Sequence, residues 1–161
     1  MQHVYLTKPV PPPPPSDSVA SGFAVICFLH SMIAIVSGGL MMFHASGIYS
    51  LSHGIDTAAK LVGSTPRDQL LIRTSDSFAG LLLLAIGLLL LMVSGVRDRD
   101  FQAFFAKGCT VLHVFVATWR ISVERRVEDL AWDCVRFTVG DILLAFSWLM
   151  FVVCTWREKY D

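Results

Sequence analysis

Phe137–Trp156 reads FTVGDILLAFSWLMFVVCTW. At about 1.5 Å per residue, a helix of this length crosses the roughly 30 Å hydrocarbon core of a bilayer. It carries one formally charged side chain, Asp141. Reckoned along a helix, Asp141 lies about 13 Å inward of Trp132 and about 22 Å from Trp156, two residues suited to the headgroup level. A carboxylate at such depth costs about 2.5–3.5 kcal/mol to insert, so it needs a cation, water or a proton.

The remainder of the chain fits the surroundings of that acid. Its 161 residues are 54% hydrophobic and 16% charged, a balance expected of a small polytopic membrane protein. Thirteen basic and thirteen acidic residues cancel, which speaks against nucleic-acid binding through bulk charge. Cys27, Cys109, Cys134 and Cys154 fall in or beside apolar runs without a CxxC pair, so neither a disulfide framework nor a zinc site is indicated. Three further apolar runs precede the last one. The reading is an all-α membrane protein with a Pro-rich polar arm at 1–18 and a four-helix transmembrane domain at 19–161. Its spans run over about 19–43, 74–96, 101–120 and 135–156.

The connections carry their own signals. Pro11–Pro15 fixes φ and removes amide hydrogens, so the arm is an extended spacer rather than a helix. Gly22, Ser31, Ser37, Gly38 and Gly39 let another helix approach the first span closely. Residues 48–72 read as a loop, closed by Thr65-Pro66 as an N-cap with proline at the first helical position and Asp68 in the first turn. Arg97-Asp98-Arg99-Asp100 stops the second span in a tight turn, and Ser122–Arg136 is a charged, amphipathic segment at the interface. Four spans place both termini on one side. The two sides carry six and seven Lys/Arg, so the positive-inside rule chooses neither. The tail Arg157-Glu158-Lys159-Tyr160-Asp161 loosely resembles a dibasic retrieval signal read in the cytosol, which favours cytosolic termini and the endoplasmic reticulum.

Threading four antiparallel spans gathers polar residues into one half of the membrane: Arg73 and Asp76, His113 and Arg120, Asp133 and Asp141, with His44 nearby. Two outcomes compete for Asp141. In one, His113 or Arg73 binds it inside a single bundle and it only fixes packing. In the other, copies of Asp141, with Asp76 and with Asp133, Glu124 and Glu128 at the mouth, line a wet path that attracts cations. Glu124, Glu128 and Asp133 also suit a solvated helix face.

Other classes stay open. His30 and His44 are spaced for stacked haems, yet only His113 lies in another span, so two haems are excluded by count and a single haem is the remaining redox alternative. No HExxH, GxSxG or phosphate-binding glycine loop occurs, and the chain is not read as an enzyme or as a cofactor carrier. A membrane scaffold without transport explains the spans equally well.

Four features carry a resemblance: HVYLTKP at His3–Pro9, the proline tract, SVASGFAVICFLHSMIAIVSGG at Ser18–Gly39, and RDQLLIRTSDSFAGLLL at Arg67–Leu83. In these the chain resembles a plant-specific family of small four-span proteins of the endoplasmic reticulum, the WeiTsing-like cation channels linked to clubroot resistance. The resemblance implies a ring-like homo-oligomer, a pentamer, with a central cation-selective pore that passes Ca²⁺ and releases it in plant defence. It assigns no pore residue one by one.

Overall fold

The computed structural model describes residues 17–126 and 131–160, with side chains over 21–50, 53–126 and 134–157. Residues 1–16 of the proline arm and Glu128 lie outside the described residues, as does the side chain of Asp133, while the last two residues of the arm open the first helix. The elements are α1 (Asp17–His53), α2 (Ile55–Leu61), α3 (Pro66–Val93), α4 (Arg99–Val123), a 3₁₀ turn (Glu124–Arg126) and α5 (Ala131–Tyr160). Four stretches are long and apolar enough to cross a membrane: Ser21–Ser50, Pro66–Val93, Arg99–Arg126 and Cys134–Arg157. The described chain is helical throughout its regular structure, as the apolar runs require.

The stretch expected as a loop, 48–72, is mostly helix instead. α1 continues to His53 through a kink at His44 (φ −138°, ψ 39°), one residue past the expected end of the first span. Gly54 (φ 80°) then turns the chain into α2, and Gly63 (φ 91°) turns it again into α3. Both positions need the left-handed region that glycine reaches without strain. α3 starts where its cap residues direct: Thr65 Oγ1 accepts from the Asp68 amide at 3.1 Å and donates to Asp68 Oδ2 at 2.7 Å. At the short turn, Asp98 Oδ1 accepts from the Phe101 amide at 2.9 Å and caps α4.

Two antiparallel helix pairs follow, α1 on α3 and α4 on α5, joined mainly where α1 meets α5. Small residues bring α1 and α3 together. A Cβ on Gly38 would lie 2.6 Å from the Gly80 oxygen and 2.7 Å from the Leu84 nitrogen. Seven residues along each helix, Ser31 Oγ donates to the Gly87 carbonyl at 2.7 Å. Of the expected small-residue face, Ser31 and Gly38 make these contacts, whereas Gly22 and Gly39 meet no neighbour within 4 Å.

The bundle has two unlike ends. Near the start of α1 and the α3–α4 turn, Phe23, Cys27, Ala106, Trp148 and Phe151 form the buried core, with Leu90, Val93 and Phe105 against it. Phe23 lies 6.1 Å from Trp148 and 5.3 Å from Phe151 between ring centroids, and Phe105 lies 5.9 Å from Trp148. Aromatic pairs of this kind add about 0.5–1.5 kcal/mol each beyond the area they bury. The opposite end is held by hydrogen bonds and charges.

A candidate ionic site at the polar end of the bundle

α4 supplies the spine of the site. Thr110, His113, Ala117, Arg120 and Glu124, the helical face expected from spacing, are all buried or half-buried. Arg120 organises the group. Its Nε donates to Asp141 Oδ2 at 2.7 Å, and its Nη1 donates to Glu124 Oε1 at 2.8 Å and Oε2 at 3.1 Å. The Asp141 side chain is 13% exposed, against 27% for Arg120. The Arg120 carbonyl also accepts from Cys134 Sγ at 3.4 Å, which ties the end of α4 to the start of α5.

Asp141 thus finds a cation within its own chain, and that cation is neither His113 nor Arg73. His113 turns to His30 of α1, with ring centroids 5.6 Å apart, and Arg73 is exposed. Depth reckoned from the tryptophans misplaced the pair. The Arg120 backbone lies level with Cys134, seven residues before Asp141 on α5, and its long side chain reaches along α5 to the deeper acid. One guanidinium facing two carboxylates leaves a formal charge of −1, with Glu124 as its outer member.

The other acid of this end behaves differently. Asp76, on α3, accepts from the Tyr49 hydroxyl at 2.6 Å. Tyrosine is a neutral donor, so this hydrogen bond brings no counter-charge to Asp76. The kink at His44 precedes Tyr49 by five residues, and the helix beyond it carries the phenol to Asp76. His44 itself is exposed at the bend and takes no place in the ionic group.

Phe137 joins the two acids' surroundings. The Arg120 and Arg136 guanidinium carbons lie 5.4 and 5.5 Å from its ring centroid, and the His53 ring lies 5.8 Å away. His53 in turn lies 6.3 Å from Tyr49. Neither Tyr49 nor Phe137 stands out in the sequence, because each is an aromatic residue at the edge of an apolar run.

Among the described residues, His30 and His113 are the histidines of two spans whose rings face each other, and the fully buried Trp148 lies 5.0 Å from His30. Among the described residues, no group of three or more His, Cys, Asp or Glu side chains is arranged to hold a metal ion.

Residues 18–149 match the family described as a domain of unknown function, DUF7865, and the chain belongs to that family. No curated protein and no solved structure matches the chain.

Proposed function

We propose that this DUF7865 member assembles with copies of itself into a ring and conducts cations, Ca²⁺ among them, across the endoplasmic reticulum membrane. The observation that carries the reading is Asp76: a half-buried carboxylate inside an apolar span, about 15 Å along α3 from Pro66, held by a neutral hydroxyl. Such an acid, repeated around an axis, attracts cations as acidic rings do in cation pores. Asp141 is the weaker candidate, since Arg120 already offsets its charge. Glu124, and by sequence Glu128 and Asp133, belong to the mouth.

The path lies between copies, since small-residue contacts close α1 against α3 and aromatic rings fill the opposite end of the protomer. α3 is the span least covered by its own chain, and Leu70, Phe78, Leu81, Leu82, Leu89 and Met92 are exposed along it. Those side chains meet lipid on one face and supply the apolar constriction on another. The WeiTsing-like resemblance adds the pentamer, the calcium permeability, the compartment and the role in plant defence.

The test is purified protein in planar bilayers under a cation gradient, comparing wild type with Asp76→Asn and Asp141→Asn. Cation-selective current is expected, with selectivity reduced by Asp76→Asn and little changed by Asp141→Asn. No current in the wild type sinks the channel; an Asp76→Asn channel of unaltered selectivity sinks the role of that acid. The same broad apolar face of α3 also suits a scaffold for other membrane proteins. A stable hetero-complex in mild detergent, in place of a symmetric homo-oligomer, decides for that second reading.

A further inference from the structure

Well inside the bundle, His30 of α1, His113 of α4 and Trp148 of α5 come together. His30 is 7% exposed and Trp148 0%. The His30 ring centroid lies 5.0 Å from that of Trp148 and 5.6 Å from that of His113. His30 Nδ1 lies 2.9 Å from the Ile26 carbonyl oxygen. A carbonyl only accepts, so Nδ1 carries the proton, and the neutral imidazole presents Nε2 as a bare acceptor. The indole nitrogen of Trp148 only donates. Both atoms are shut off from solvent, and neither has a hydrogen-bond partner among the described residues.

The two are complementary, yet they do not meet. The rings lie tilted at 44°, face beside face rather than edge to edge, so the indole N–H does not reach the imidazole lone pair. The nearby Leu144 carbonyl of α5 is already engaged, accepting from Ser147 Oγ at 2.7 Å. One acceptor and one donor, His30 Nε2 and Trp148 Nε1–H, therefore converge where hydrocarbon offers them nothing. A buried polar group in that condition is costly, and the usual remedy is an internal water with about three hydrogen bonds.

We infer that one water molecule is held at the junction of α1, α4 and α5, accepting from Trp148 Nε1–H and donating to His30 Nε2. One of its lone pairs and one of its hydrogens match the two unpartnered atoms. The His113 ring forms a further wall, its centroid 5.6 Å from that of His30. The site joins the first helix pair to the second across a seam that is otherwise thinly held. It lies inside one protomer, so it stands or falls independently of any path between copies.

The experiment is NMR on the full-length protein in lipid nanodiscs, labelled with ¹⁵N at tryptophan and histidine, with Trp148→Phe identifying the indole. Expected are a cross peak between Trp148 Hε1 and water, with the sign of a long-lived bound molecule, and His30 nitrogen shifts of an Nδ1–H tautomer with a hydrogen-bonded Nε2. His30→Phe should remove that water cross peak and leave the other three indoles unchanged. Three results overturn the inference: no water contact at Trp148, a direct coupling between the indole and His30 Nε2, or a His30 protonated at Nε2. All three are read on the unsubstituted protein, so a variant that does not fold changes nothing.

Discussion

Replacing Gly38 by alanine tests how the first helix pair is held. The new Cβ would stand 2.6 Å from the Gly80 oxygen and 2.7 Å from the Leu84 nitrogen, both backbone atoms that no rotamer change can move. Ordinary contact begins near 3.4 Å, so α1 and α3 must part by about 0.8 Å (3.4 minus 2.6). An even separation stretches the Ser31–Gly87 hydrogen bond from 2.7 Å to about 3.5 Å, where little of it remains. Overpacking costs about 1–3 kcal/mol and the lost hydrogen bond about 1 kcal/mol. Alanine returns about 1 kcal/mol through helix propensity, which leaves a net loss of about 1–3 kcal/mol. Gly39→Ala is the control, because nothing lies within 4 Å of its Cβ and only the propensity gain remains. Reversible unfolding in mixed dodecylmaltoside–SDS micelles, followed by circular dichroism, should separate the two variants by about 2–4 kcal/mol. Equal stabilities, within about 0.5 kcal/mol, would refute the close crossing.

Two other substitutions address the polar end and the cap. Arg120→Met removes the cation shared by Asp141 and Glu124 and should destabilise by up to about 3–5 kcal/mol, below that ceiling because the three side chains retain some exposure. In the same micelle titration, Asp141→Asn should cost less, since Arg120 keeps Glu124, and Arg120→Met with Asp141→Leu should recover part of the loss. Thr65→Ala removes the cap of α3 at a cost of about 1 kcal/mol, read as faster amide exchange at Asp68 and its neighbours.

Local signals in the sequence were the dependable ones. The number of spans, the Thr65-Pro66 start of α3 and the shared face of α4 follow from patterns a few residues long, and each has its counterpart in the structure. Ser31 and Gly38 were legible as small residues, but spacing alone grouped them with Gly22 and Gly39, which face open space. α2 was missed because a seven-residue helix between two glycines has too few turns to show a period. The partner of Asp141 was illegible for a different reason. It depends on the relative height of α4 and α5, and a long guanidinium side chain can span the difference between two levels that counting keeps apart. The role of Phe137 depends on three other helix positions and leaves no trace in its own neighbourhood.

The ion group also fixes an order of events during synthesis. Arg120 leaves the ribosome before Asp141, and four residues later comes Glu124, which bonds it from the turn that ends α4. The third span therefore reaches the translocon with its guanidinium already neutralised in cis. When the last span follows, its acid meets a guanidinium that already carries one carboxylate, and the completed group of three enters the bundle with one negative charge left over.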